Sequence, residues 1–204
     1  MDSLKILAQE RIFKQMSFIR EIDKMKNEFR KNIIIDKSRR ENDAEHSWHI
    51  AVMAMLLVEY AENPATLDVN KVIKMLLVHD IVEIYAGDTF FYDEEANKTK
   101  AAREQAAADK IFSILPADQE GELRGLWEEF EELQTTEAYY ARAMDILQPF
   151  FLHYCTQGAV WLEENINVAQ VYRRAEPLKK GLPKLWEFVE LLIEQSVKKG
   201  YLNA

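Results

Sequence analysis

The sequence predicts an all-α protein, a single domain over residues 1–204 built as a bundle of about seven helices, and three observations carry that expectation. Only 6 Gly and 5 Pro occur among 204 residues, so few positions force the chain to turn. Apolar residues recur at spacings of three and four along most of the chain, the repeat of one helix face. The composition is 48% hydrophobic and 30% charged, that of a globular domain able to bury roughly 70% of its unfolded surface. Disordered and collagen-like chains are excluded, and so is a disulfide-stapled domain, since Cys155 is the lone cysteine. A core of this size needs no structural metal, so a bound ion would serve chemistry.

The first helix starts near residue 4 and carries Ile12, Met16 and Ile19 toward a basic stretch. A second begins after the segment KSRREND and ends near residue 62, before Asn63 and Pro64. Asp68 is the N-cap of a third, which runs to Gly87. The polar stretch GDTFFYDEEANKT then breaks the periodicity. It is the longest irregular connection and therefore a candidate lid or substrate loop. An Ala- and Lys-rich helix covers about 98–115, Pro116 opens an acidic helix to about 133, and another spans 135–156. The last runs over 183–201, where Trp186, Phe188, Val189, Leu191, Leu192 and Ile193 serve internal packing or a dimer contact.

Charge narrows the partners. The chain has 26 Lys and Arg against 35 Asp and Glu, a formal net charge of -9 and a pI near 5.1, which argues against nucleic acid and anionic membranes. Seven basic residues nevertheless fall in the window 24–40, either a solvated helix face or an attractor for a small anion. No apolar stretch is long enough to span a bilayer. The first residues lack the pattern of a secretory signal, and a lone cysteine fits a reducing compartment, so a cytoplasmic location is expected.

Three polar groups fall where a helical core should be apolar. His46 shares a stripe with Ile50, Met53, Leu57 and Tyr60. In MLLVHDIVEIYAGD the inward stripe is Val72, Leu76, His79, Glu83 and Ala86, with Asp80 one step round. Asp145 shares an inward side with Ala138, Ala141 and Leu152, four residues before Pro149, which cannot donate to its carbonyl and predicts a kink. Buried carboxylates need a cation, and two imidazoles with two carboxylates suit a divalent first-row ion. Water would complete the shell as nucleophile, with Glu83 one turn on to orient it or take its proton. Plainer readings stand beside these. A lone inward histidine is usually a hydrogen-bonded core residue, as His49 and His153 are read, and Asp145 alone could pair with Arg142 or another arginine. Phe90, Phe91 and Tyr92 either cover a base or, by preference, plug the core.

The segments RRENDAEHSWH (39–49), LLVHDIVEIYAGD (76–88) and ARAMDILQP (141–149) resemble, in order and separation, the motifs of the HD-domain superfamily of metal-dependent phosphohydrolases. The likeness is strongest to the short helical branch of bacterial 5′-deoxynucleotidases and HD domain-containing protein 2, and it extends to about Pro149. It implies His46, His79, Asp80 and Asp145 as ligands of one divalent ion, which could be manganese, cobalt, magnesium, iron, nickel or zinc. It further implies Glu83 as the carboxylate beside the attacking water and Asp88 as a second acid contacting substrate or shuttling a proton. Arg30, or Lys31 if the register slips by one, would hold the phosphate. Arg39 and Glu41 match the pair preceding the first ligand, Arg39 in a structural role.

Members with two metals recruit further histidines between the His-Asp pair and the final Asp, and none occurs between Asp80 and Asp145, which speaks for a single ion. The loop GDTFFYDEE departs from that of the deoxynucleotidases, so base and sugar preference do not transfer. The expected activity is hydrolysis of the phosphate monoester of a nucleoside or deoxyribonucleoside 5′-monophosphate by a homodimer. The alternatives are another phosphate ester or a nucleoside triphosphate, or a non-enzymatic, metal-stabilised module that binds a partner through its acidic helix.

Overall fold

The computed structural model describes residues 2–204, with side chains from residue 8 onward. Helix α1 (Asp2–Ile22) passes through a 3-10 turn (Asp23–Asn27) into an antiparallel hairpin of β1 (Phe29–Ile33) and β2 (Arg40–Asn42). This hairpin occupies much of the basic window, where the sequence pattern suggested no strand. The partners of Arg40 and Asn42 lie four positions apart on β1 but only two apart on β2, so the ladder is irregular between Phe29 and Ile33. Alternation along β1 still holds: Arg30 and Asn32 turn inward while Phe29 and Lys31 face solvent. Ile12, Met16 and Ile19 of α1 lie on its exposed side.

Asn42 caps α2 (Asp43–Leu56) through a reciprocal capping box with Glu45, which fixes where the helix begins and puts His46 in its first turn. Asp68 caps α3 (Val69–Val78). The third helix expected from sequence divides at this point. The segment 79–82 is a turn in which Ile81 N–H bonds Val78 O (3.1 Å) and Glu83 N–H bonds Asp80 O (2.9 Å), and α4 (Glu83–Ala86) follows. These three-residue bonds tighten the chain, and residues three apart then eclipse. Asp80, predicted one step off the inward face, is thereby aligned with Glu83.

Asp93 caps α5 (Glu94–Phe112), so this helix starts about four residues before the expected position. Helices α6 (Ala117–Glu132) and α7 (Thr136–Cys155) fall within a residue or two of their predicted bounds. Helix α7 is the axis of the fold: α2, α3, α6 and α10 (Leu178–Gly181) pack around it, which is why its buried residues cover nearly the whole circumference. Gly181 lets α10 approach, since a Cβ there would meet Tyr139 O at 2.3 Å. Helices α8 (Ala159–Glu163), α9 (Val168–Ala175) and α10 are too short to have given a periodic signal, as is α4. They bring the total to eleven α-helices among the described residues rather than seven. The last helix, α11 (Trp186–Lys198), buries Val189 and Ile193 and leaves Phe188 and Leu191 exposed. Among the described residues no helix is long and apolar enough to cross a membrane.

Candidate metal centre

The first turn of α2, the tightened 79–82 turn and the middle of α7 converge on one point. His46 Nε2 lies 3.2 Å from Asp145 Oδ1 and 3.9 Å from Asp80 Oδ2. His79 Nε2 lies 3.0 Å from Asp80 Oδ1 and 3.8 Å from Asp145 Oδ1. All four residues are buried, His46 completely. Each imidazole is held from behind. His79 Nδ1–H donates to Leu76 O at 2.9 Å. Gln148 Nε2 donates to Glu41 Oε1 at 2.6 Å, which leaves Gln148 Oε1 to accept from His46 Nδ1–H at 3.1 Å. With both Nδ1 atoms so committed, both Nε2 atoms turn toward carboxylate oxygen, and lone pair against anion is repulsive unless a positive charge lies between.

A proton supplies that charge when nothing else does. Burial lowers the His79 pKa, but Asp80 and Asp145 outweigh it and raise the value to about 10. Burial and Arg30 likewise push His46 down, and the Asp145 and Glu41 carboxylates leave it raised. Burial would raise Asp80, yet His79 and Arg30 hold it below the ordinary carboxylate range. Asp145 is held well below that range, against burial, by the two histidines and Arg174. His79 Nε2 nonetheless satisfies no hydrogen-bond geometry with either neighbour. A buried nitrogen aimed at two carboxylates but bonded to neither fits a cation shared among them. Two nitrogen and two oxygen donors suit a divalent first-row ion with positions left for water.

Beside this point lies a second acidic group, Asp43, Glu83 and Asp88, with ligand-type oxygens mutually within 4.8 Å. Burial and the neighbouring Asp80 raise Asp43 to about 7. Burial, with Asp80, Asp43 and Asp88, raises Glu83 well above its ordinary value. Burial also raises Asp88, with Arg30 opposing. The ligand-side carboxylates are thus pulled toward the ionised form while burial and crowding push this trio the other way, a separation of the kind that divides acid from base functions.

Arg30 stands between the two groups. Its Nη1 donates to Asp80 Oδ2 at 2.7 Å and to Asp43 Oδ1 at 3.3 Å, with Asp88 at 3.9 Å. Lys31, one residue on, is exposed at the rim of the cleft and pairs with Glu164 at 2.7 Å. Much of the rest of the basic window is spent on surface pairs: Arg39 with Glu45 and Arg40 with Glu163. His49 is partly buried, and burial lowers its pKa. His153 is buried against Trp161, with ring centroids 4.8 Å apart, at the edge of the cleft.

The cleft runs from the metal point past Glu83 and Asp88 to Lys100, Glu131, Arg142 and Arg174. Phe90 and Tyr92 pack against the main core, as a plug would, while Phe91 is exposed and all three line the cleft. Lys100 meets Glu104 at 3.3 Å. Arg142 donates to Glu131 at 2.8 Å and reaches Asp145 Oδ2 at 3.4 Å. Gln148 and Arg174 were not singled out from sequence. Gln148 carried a faint signal, a polar side chain one turn past Asp145 on the same inward face. Arg174 carried none.

A helical bundle that joins an adjacent His-Asp pair to an earlier histidine and a later aspartate has the layout of an HD domain. The chain belongs to the HD-domain family, whose profile matches residues 22–186. It is 33% identical over 107 residues to the human 5′-deoxynucleotidase HDDC2, and 33% over 105 residues to that of Xenopus laevis, each match covering 52% of this chain. The chain spans about half the length of these curated relatives, 50% in both. Among solved structures it is similar to a predicted metal-dependent phosphohydrolase of Magnetospirillum magnetotacticum, 43% identical, with a TM-score of 0.89 over 96% of this chain and 100% of that one. An HD-domain phosphohydrolase of Listeria innocua shares the fold at 16% identity, with a TM-score of 0.63 over 91% of this chain and 95% of that one.

Proposed function

We propose that this protein is a metal-dependent phosphohydrolase acting on phosphate monoesters, with a nucleoside or 2′-deoxynucleoside 5′-monophosphate as substrate. The observation that carries the proposal is the convergence of His46, His79, Asp80 and Asp145, with each imidazole Nδ1 tied to an oxygen and each Nε2 left facing the others' carboxylates. These four residues would hold the ion. A divalent ion there supplies Lewis acidity, offsetting phosphoryl charge and making water a stronger acid. The HDDC2 relatives, named 5′-deoxynucleotidases, support the nucleotide part.

The chain's own groups divide the remaining work. Asp43, Glu83 and Asp88 are too crowded to ionise together, so the trio contains both a proton acceptor and a proton donor. Glu83, whose Oε2 has no partner, takes a proton from the attacking water as the new P–O bond forms. Asp88, less buried than Glu83, returns one to the ester oxygen as its bond to phosphorus breaks. Arg30 offers its guanidinium to the phosphoryl oxygens, exchanging its contact with Asp80 for the substrate. A homodimer belongs to the same reading, with exposed Phe188 and Leu191 of α11 as its contact.

The test is to strip the protein with chelator, return one divalent ion at a time, and measure phosphate release from a panel of monoesters. Release is expected from 5′-monophosphates with the ion present, and Asp80→Ala should lower it by at least 10³-fold while far-ultraviolet dichroism is retained. Full activity in Asp80→Ala, or no release with any ion, would overturn the proposal.

A further inference from the structure

Arg174 is delivered to the cleft by α9, remote from every motif discussed above. Its Nη2 lies 3.4 Å from Asp145 Oδ2, and its guanidinium stacks 4.3 Å above the Phe91 ring. Of the other cations lining the cleft, Arg30 pairs with Asp80 at 2.7 Å, Arg142 with Glu131 at 2.8 Å and Lys31 with Glu164 at 2.7 Å, while Lys100 meets Glu104 at a longer 3.3 Å. Arg174 has the long contact to Asp145, whose other oxygen faces the two histidines. An ion taken up by that carboxylate draws on the charge Arg174 leans on. A guanidinium side chain that is one-fifth exposed and weakly paired, at the wall of a cleft, is built to meet an anion.

Arg30 and Arg174 approach different oxygens of Asp145: Arg30 Nη2 is 3.9 Å from Oδ1 and Arg174 Nη2 is 3.4 Å from Oδ2. A group resting beside Asp145 therefore has two guanidinium edges close by. The free space in the cleft is about 90 Å³, well below the ~300 Å³ at which pockets for whole small molecules begin. It is matched to a phosphoryl group, with the rest of an ester left to the mouth beside Phe90 and Phe91. We propose that Arg174 is a second phosphate-binding residue, closing on the phosphoryl oxygens alongside Arg30, and that the pair selects the dianion of a phosphate monoester over a diester. This rests on the hydrolase reading only for the ester, since the anion site is testable with inorganic phosphate alone.

The experiment is calorimetric titration of metal-loaded protein with inorganic phosphate, comparing wild type, Arg174→Gln and Arg174→Lys, with bound metal measured on each sample. Charge-assisted contacts of this kind predict a 10- to 100-fold loss of phosphate affinity in Arg174→Gln and a smaller loss in Arg174→Lys, at unchanged metal content. Phosphate affinity equal to wild type in the Gln variant, or metal lost in step with phosphate, overturns the proposal; the latter would make Arg174 a positioning residue for Asp145. If Arg174→Gln does not fold, Arg174→Lys decides by the same two measurements. Wild-type protein that binds no phosphate overturns the anion site. Wild-type protein that binds phosphate in an Arg174-dependent way yet hydrolyses no monoester overturns the hydrolase reading and leaves the anion site standing.

Discussion

Gln148→Met tests whether the orientation of His46 is set from behind. Gln148 is fully buried and stands among three partners, donating to Glu41 Oε1 at 2.6 Å, accepting from His46 Nδ1 at 3.1 Å and placing Nε2 3.2 Å from His49 Nδ1. Methionine keeps most of the volume and removes all three contacts. His46 then loses the acceptor that fixes its tautomer, and groups of this kind behind a metal ligand are worth about 10- to 100-fold in metal affinity. Glu41, 2% exposed, loses a short bond from an amide donor, and its other oxygen already has no partner. Stranding that carboxylate costs the metal-free protein about 1.5–3 kcal/mol. The two effects separate in the double variant Glu41→Leu/Gln148→Met. It should regain part of the stability, because the stranded carboxylate is gone while His46 Nδ1 stays without an acceptor, and none of the metal affinity. Metal affinity is read by competition with a chromophoric chelator, stability by urea unfolding of the stripped protein. Unchanged metal affinity in Gln148→Met would refute the proposed hold on the tautomer.

Two pH predictions follow from the histidines. His79, raised to about 10, must surrender its Nε2 proton to an incoming ion, so apparent metal affinity should rise about tenfold per pH unit between pH 7 and 9, and a flat profile by chelator competition would show that no proton is displaced. The same proton stabilises the metal-free fold: the contribution is complete below the unfolded value near 6.5 and is lost as pH climbs through about 10. His153 has the opposite sign. Burial lowers it to about 3, so the unfolded chain takes up a proton below pH 6.5 that the folded chain refuses, and urea unfolding at pH 4.5 should show about 2–3 kcal/mol less stability than at pH 7. His153→Phe should remove much of that acid sensitivity, and a pH dependence identical to wild type would place its origin elsewhere.

How much of the site was legible depended on whether helical periodicity governed the residue. His46, His79 and Asp145 stood out because each is polar on an apolar stripe, and all three point to one place. Asp80 was identified by its neighbour, but its alignment with Glu83 depends on three-residue bonds that a uniform helix would lack. The choice between Arg30 and Lys31 was open because it depends on a two-residue alternation in a strand that sequence reasoning did not foresee. Lys31 turns out to face solvent. Gln148 was visible only in hindsight, and Arg174 not at all, because its place beside Asp145 depends on how the short helices fold back.

The sequence alone determined the helical class, the central helices and the residues that had to be buried with charge, because apolar spacing and the cost of desolvating a carboxylate are properties of neighbours along the chain. Tertiary structure decided which charges meet. It set the hairpin that aims Arg30, the Gln148 bridge behind His46 and the arrival of Arg174 from α9. Those contacts join residues 13 to 107 positions apart, and such distances are closed only when the whole core packs, which no local pattern encodes.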